Sequence, residues 1–495
     1  MNITSLLDMS VTAMSDRTLI GNKADGLSPA ELRRRALAGA TYIRQSGAKV
    51  VGYLGGNGPE FPVALFSAAY AGVPFLPLNF RLSNEQLDEI LARQDGLLLL
   101  TRDAQRIEQG ALSLDDFELI VRDGAEEEAT PSEADDIAVI LMTSGTTAAP
   151  KSALLRHQNL ASYILSSVDF ASAEPDSATI VSVPPYHIAA VANMLSNLFA
   201  GRRIVYLDHF TADEWLDVVR REGITNAMVV PTMLSRIVHA LEESGQDAPE
   251  TLRGISYGGA KVPTTVLQHA LEAFPNVGFV NAYGLTETAS SIAILGPEDH
   301  RTAMASDDPE VRARLSSVGR ALPGVEIQVQ DENGEPCAPG VEGDIVVRGP
   351  QVAGEYRESG SLVNEDGWFR TRDLGYIDSE GFIFVKGRAD DTIIRGGENI
   401  APAEIEDVLF RHEAVADVAV AGVPNDEWGF VIAAFIVVKP GASLSSDEVR
   451  AFARQHLRSS KTPDEVHFTD EIPTTPTGKV LRRHLVDGLL EGVSS

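Results

Sequence analysis

"LMTSGTTAAPKSALLRH", from Leu141 to His157, is the stretch whose reading decides the fold. A Walker A phosphate loop has the form G-x-x-x-x-G-K-[ST], and its lysine opens a helix whose amides meet phosphate. Here four residues follow Gly145, and then come Pro150, Lys151 and Ser152. Proline stands where the second glycine belongs and removes an amide just before the lysine. What remains is a loop dense in hydroxyls: Thr143, Ser144, Thr146 and Thr147, together with Gly145 and Lys151. Such side-chain and backbone donors can wrap a pyrophosphate without Walker geometry. A Ser/Thr-rich turn that holds no ligand is the plain alternative for this stretch taken alone.

Outward from the loop, apolar strand runs alternate with helical patterns. "AKVVGYLGG" (48–56) reads as a strand and "EFPVALFSAAYAG" (60–72) as a helix; "DIAVILMTSG" (136–145) is a strand entering the loop. "GRRIVYL" and "ITNAMVVP" are further strands with helices between them. That alternation predicts an α/β domain of layered, largely parallel sheets. From about Ser317 the pattern changes to short strands joined by turn dipeptides such as Asn333-Gly334, a β-rich subdomain over about 317–387. The polar stretch Gly387 to Asp391 then leads into a small α+β unit. The expected organisation is a large domain over 1–387, a hinge at 388–391 and a small domain over 392–495.

The bulk numbers narrow the function. At 495 residues the chain is too long for one core. Its 44 % hydrophobic and 23 % charged residues are the balance expected of a soluble globular protein. A formal net charge of −30 argues against non-specific binding to nucleic acid or anionic lipid, so anionic ligands need locally placed cations. The single cysteine, Cys337, excludes an internal disulfide and a cysteine-cluster metal site. No signal peptide pattern is visible, and the longest apolar run, Phe430 to Val438, is too short for a membrane span. The simplest expectation is a cytoplasmic enzyme; oligomeric state, a homodimer included, is left open.

The loop resembles the T-S-G-T-T-G-x-P-K-G signature of the adenylate-forming enzymes: acyl-CoA synthetases, adenylation domains and firefly-type luciferases. Ala148 and Ser152 stand where that signature has glycine. Four more stretches resemble the family's motifs, in its order: "NAYGLTET" (281–288), "GWFRTRDLGYIDSEGFIFVKGRADD" (367–391), "IIRGGENIAPAEIE" (393–406) and "PTTPTGKVLRR" (473–483). The overall pattern is most similar to chlorobenzoate-type and other acyl-CoA ligases. The resemblance implies ATP, Mg²⁺ and CoA as cofactors and co-substrates. It also implies a mobile C-terminal domain and a two-step reaction. A carboxylate attacks the α-phosphate of ATP and expels pyrophosphate; a thiol then displaces AMP after domain rotation.

Roles follow residue by residue from the same resemblance. Lys479 bridges carboxylate and nucleotide during adenylation, a task suited to a point charge on a flexible stem. Glu287 is the Mg²⁺ ligand, since a hard cation that bridges phosphates wants a carboxylate. Thr286 donates to the α-phosphate. Tyr283 offers a face to adenine and Asn281 an amide to its edge. Gly259, Ala260, Ala282 and Gly284 complete that nucleotide wall. Asp373 accepts from the ribose hydroxyls, with Arg388 near ribose and phosphates. His187 gates the acyl pocket, and Asp390 is the hinge. The P-x₄-G-K form ending in Lys479 also resembles the acetylation site of bacterial acyl-CoA synthetases.

For the acid, "PPYHIAAVANML" lacks the aspartate that adenylation domains use to pair an α-amino group, so an amino acid is disfavoured. Small residues after His187, among them Ala192, leave room, and Asn193 could meet a polar or ring substituent. Tyr257, before Gly258, would narrow the far wall. An aromatic, alicyclic or medium-chain acid is expected. For the acceptor, Gly396 and Gly397 match glycines that let a pantetheine arm pass, and Arg81 and Trp428 fit places that hold the CoA nucleotide. Of the basic and aromatic residues before the last motif only Lys461 is kept; Ser460, Thr462 and Asp464 replace the others, and Asp464 would repel a 3′-phosphate. Loading of a carrier-protein phosphopantetheine is the alternative, and a luciferase-like oxygenase a remote one.

Overall fold

Ile137–Thr143 and Lys151–Arg156 pair antiparallel, with Thr143 opposite Lys151. The lysine therefore opens a strand and not a helix, and the hydroxyl-rich loop joins two neighbouring strands. The structure is a computed structural model and describes all residues except 130–131, 144–150, 396–397, 426–428, 476–478 and 494–495. The loop residues Ser144, Gly145, Thr146 and Thr147 thus lie outside the described residues.

Among the described residues the chain builds four sheets. The first has eight strands and carries this hairpin beside the parallel strands Phe75–Pro77, Val50–Leu54 and Leu97–Thr101. The second has seven, with Asn226–Val229, Gly254–Gly258 and Gly278–Leu285 parallel at its centre. Helices such as Glu60–Ala71, of which the eleven residues Phe61 to Ala71 are buried, lie between and over these sheets. Val51, Phe75, Val139, Ile180, Val229 and Ile255 belong to one continuous core beneath both. Buried strands read as unbroken apolar runs for that reason.

The third sheet is antiparallel: Glu326–Gln330, Gly343–Arg348, Phe369–Ile377 and Ile383–Arg388. It accounts for most of the β-rich stretch 317–387, but not all of it. Glu355–Tyr356 and Gly360–Ser361 leave that unit and extend the first sheet, with Tyr356 opposite Ala153. Arg320–Ala321 joins the second sheet instead. The β-rich stretch therefore ties three sheets together. No periodicity shows this, because which edge a two-residue strand joins is set by topology.

The small domain is a fourth, five-stranded sheet around Val415–Asn425 and Gly429–Val438. Helices Pro402–Leu409 and Ser446–His456 cover the face carrying Val418, Val420, Ile432 and Ile436. A single turn, Ala389–Asp391, connects it to the end of strand Ile383–Arg388.

Candidate active site

A cavity of about 310 Å³ opens where the small domain meets the ends of the second and third sheets. Its walls include Tyr257, Gly258, Gly259, Ala260, Asn281, Ala282, Tyr283, Gly284, Asp373 and Arg388 from the large domain and its last strand, and Lys479 and Arg482 from the small one. Residues from three sequence motifs, read separately, are thus brought to one place.

Local geometry explains several of these positions. Gly259 has φ +87, a backbone that follows strand Gly254–Gly258 into an open turn and suits glycine. A Cβ on Gly284 would fall 1.9 Å from the Ser290 carbonyl oxygen, so only glycine lets the two strands fold over there. Asp373 follows Arg372, which adopts φ +64 and bends strand Phe369–Ile377. That bend delivers the Asp373 carboxylate to the cavity, 5 % exposed.

Both oxygens of Asp373 are engaged. The Tyr283 hydroxyl donates to Oδ2 at 2.5 Å, and Arg388 Nε lies 2.9 Å from Oδ1. Burial pushes this carboxyl above its usual range, while Arg388 and the Tyr283 hydroxyl pull it back down. An ionised carboxylate has about four acceptor sites. Two are used, which leaves one on each oxygen for a pair of hydroxyls. Asn281 donates its amide to the Ser317 carbonyl at 3.2 Å, keeping its own carbonyl free of that bond.

Lys479 approaches from the other side. Its backbone closes a tight turn with Thr475, N–H to Oγ1 at 3.0 Å and C=O from N–H at 2.7 Å. Burial, and then the Arg388 charge, hold its ammonium below the ordinary lysine range; Asp391 and Asp373 oppose this. Arg482, three residues on, pairs with Asp391 at 3.2 Å and Glu406 at 2.7 Å.

Glu287 and Thr286 sit in the turn Thr286–Thr288 at the end of the stretch 281–288. The Glu287 carboxylate accepts from the Tyr356 hydroxyl. Lys151 Nζ lies 5.8 Å from the centroid of the same tyrosine ring, and Thr143 Oγ1 is 3.4 Å from the Lys151 carbonyl oxygen. Among the described residues no group of three or more His, Cys, Asp or Glu converges on one point. A single carboxylate fits Mg²⁺, which dehydrates reluctantly and is held by one or two carboxylates plus substrate phosphates.

The remaining expected residues are more scattered. His187 precedes helix Ile188–Ala200; its Nε2 is buried without a hydrogen-bond partner among the described residues. Burial, then the Arg81 charge, push its imidazole down to about 4, so the ring is neutral near pH 7. Ala192 is buried in that helix, and Asn193 Oδ1 accepts from Asn197 at 3.1 Å. Neither lines the cavity. Arg81 is exposed, over the Phe80 ring at 5.8 Å. Asp390 is exposed in the connecting turn, 3.4 Å from Arg372. Gly396, Gly397 and Trp428 lie outside the described residues.

Asp464 needs a correction. It does not stand as a free negative charge: Oδ1 meets Arg395 at 2.7 Å and Oδ2 accepts from the Ile432 amide at 2.9 Å. An ion pair inside the small domain neutralises the repulsion expected of it. Lys461 likewise pairs with Glu404 at 2.6 Å.

Three features escape sequence reasoning. Tyr257 is fixed from behind by buried His300, whose Nε2 lies 2.8 Å from the tyrosine oxygen. Tyr356 touches two phosphate-loop neighbours at once. Lys261 on the cavity wall pairs with Asp407 of the small domain. None belongs to a motif.

The AMP-binding enzyme model matches residues 7–357, and the model of the AMP-binding enzyme C-terminal domain matches 404–479. The chain belongs to the AMP-binding enzyme family. A feruloyl-CoA synthase of Amycolatopsis is 34 % identical over 480 residues, covering 94 % of each chain. A fatty acid–[acyl-carrier-protein] ligase of Streptomyces coeruleorubidus is 32 % identical over 466 residues, 88 % of this chain and 86 % of the relative. Among solved structures, the o-succinylbenzoate CoA synthetase of Bacillus subtilis with its acyl-adenylate superposes with a TM-score of 0.84 at 29 % identity, covering 97 % of both chains. No helix among the described residues is long and apolar enough to cross a membrane.

Proposed function

We propose that this protein is an AMP-forming acid–thiol ligase that joins an aromatic carboxylic acid to CoA. The observation that carries this is the meeting of Lys479 with Asp373, Arg388 and Tyr283 in one cavity, the small domain closed against the large. Asp373 takes the ribose hydroxyls on its two remaining acceptor sites. Lys479 offsets the repulsion between carboxylate and α-phosphate as they approach, and Lys151 and Thr286 hold the phosphates. Catalysis here is charge stabilisation and positioning more than base catalysis. Glu287 would hold Mg²⁺, which when bound would supply charge neutralisation to the phosphates. The thiol step follows rotation of the small domain about Asp390. His187, neutral, stands at the acyl side with Ala192 and Asn193, and Tyr257 closes the far wall. Gly396, Gly397, Arg81 and Trp428 are the proposed CoA contacts.

An aromatic acid is favoured because relatives named for feruloyl and o-succinylbenzoate substrates cover nearly the whole chain. One observation supports a second acceptor. The cations Lys461 and Arg395 are paired with Glu404 and Asp464 within the small domain, which weakens the local cation set for a CoA 3′-phosphate. Loading of a carrier-protein phosphopantetheine is the reading that gains, and a carrier-protein ligase is among the relatives. The test incubates the protein with ATP, Mg²⁺ and a panel of aryl and alkyl acids, with CoA or with a phosphopantetheinylated carrier. Pyrophosphate release with CoA thioester formation is expected for aryl acids. Release without CoA thioester, but with loaded carrier, favours the second acceptor; no release from any acid overturns the proposal.

A further inference from the structure

Residues Ala353 to Glu358 form a clasp that joins two parts of the site, and this rests on the ligase reading above. The amides of Ala353 and Gly354 donate to the Glu287 carbonyl at 2.9 and 3.0 Å. The Tyr356 hydroxyl then reaches the carboxylate of the same residue. Glu287 is thereby held at both its backbone and its side chain by one short segment.

The other side of the clasp grips the strand that leaves the phosphate loop. Glu355 takes Arg156 through both its oxygens, at 2.8 to 3.0 Å. The Arg357 amide donates to the Ser152 carbonyl at 3.0 Å. Glu358 accepts from the Ser152 amide at 2.9 Å and its hydroxyl at 2.8 Å. Tyr356 sits between these contacts, 8 % exposed, with Lys151 Nζ beside its ring. One side chain therefore touches the carboxylate assigned to the metal and the cation assigned to the phosphates.

Among the described residues, Tyr356 is the only side chain that hydrogen-bonds the Glu287 carboxylate. A glutamate has three rotatable torsions, and a free carboxylate samples many orientations. A donor on Oε1 restricts the plane of the group and leaves Oε2 clear of that bond. The ring in turn gives the Lys151 ammonium an attractive seat. We infer that Tyr356 is a positioning residue that sets the Glu287 carboxylate and the Lys151 ammonium in register for Mg²⁺-bound ATP.

Such outer partners of a metal-binding carboxylate matter by about 10- to 100-fold in metal affinity or activity. Titration calorimetry of the full chain with ATP, in Mg²⁺ and in EDTA without any acid, reads this directly, since nothing turns over. Tyr356→Phe keeps the ring and removes the donor. The affinity that Mg²⁺ adds to ATP binding is expected to fall about ten-fold, with binding in EDTA and the melting temperature unchanged. Tyr356→Leu, which also removes the seat of Lys151, is expected to weaken ATP in EDTA as well. In a Glu287→Gln background, Tyr356→Phe is expected to add nothing, because the two act through one contact.

If Tyr356→Phe retains the whole Mg²⁺ gain, or loses ATP equally with and without Mg²⁺, the assignment is overturned while the ligase reading stands. Full additivity with Glu287→Gln overturns it too. A wild-type chain that binds ATP identically with and without Mg²⁺ overturns both.

Discussion

Ser152 shows what one residue discloses and what it hides. In sequence it only stands where the family signature has glycine. In the structure its amide and hydroxyl both meet Glu358, 206 residues away, so the replacement comes with a partner. Asp373, Glu287 and Lys479 could be named as candidates because each lies in a dense local motif, and the cavity brings Asp373 and Lys479 together. Tyr356 and His300 were not, since their partners are 69 and 43 residues distant and no local period encodes such pairs. Lys479→Ala is expected to abolish pyrophosphate release with the fold intact, while thioester formation from preformed acyl-AMP survives better. Half-reaction rates measured separately check this; equal loss in both would refute the assignment. The pH profile gives a second reading. Raising the pH through the lowered pKa removes the ammonium's proton, so adenylation kcat/KM should fall on the alkaline side before pH 10.5, the ordinary lysine value. A profile flat to that pH would count against Lys479.

At the scale of elements, long apolar runs gave their strands correctly because burial on both faces forces such composition. The pieces that sequence misplaced are short. Glu355–Tyr356 is two residues long, and its edge was settled by Arg156, Ser152 and Glu287 rather than by its own pattern. Asp464, corrected above, stands just before the small-domain strand Glu465–Phe468. Asp464→Lys is expected to lower stability by about 2 kcal/mol, because it replaces charge-assisted hydrogen bonds with a second cation beside Arg395. Thermal melts check the fall; an unchanged melt with a lower KM for CoA would restore the original view of a like charge facing CoA. The turn Ala389–Asp391 is the proposed hinge for rotation of the small domain. Proline's φ near −65° suits a helical turn of this kind. Asp390→Pro is therefore expected to retain adenylation largely and to collapse thioester formation. Parallel loss of both rates would place the hinge elsewhere.

For the whole molecule, motif order predicted a large domain, a connector and a small domain, but not what holds the closed arrangement together. That information is in charges that become neighbours only after folding. Lys261 follows Gly259-Ala260 on the cavity wall, and Asp407 lies 146 residues later on helix Pro402–Leu409. Their ion pair spans the two domains and leaves the side chains 40 % and 33 % exposed. A pair of that exposure contributes about 0.5 to 1 kcal/mol, which is little for folding. It is enough to shift a two-state domain equilibrium by roughly two- to five-fold. Lys261→Ala is expected to slow adenylation by that factor and leave acyl transfer from preformed acyl-AMP unchanged or faster. The reversed pair, Lys261→Asp with Asp407→Lys, should restore the wild-type ratio of the two rates. High salt should reduce the difference between wild type and Lys261→Ala, because partly exposed charges are screened. Rapid-quench measurement of each half-reaction at low and high salt decides it. If the reversed pair behaved no better than Lys261→Ala, Lys261 would act on the cavity wall itself rather than as a latch between domains.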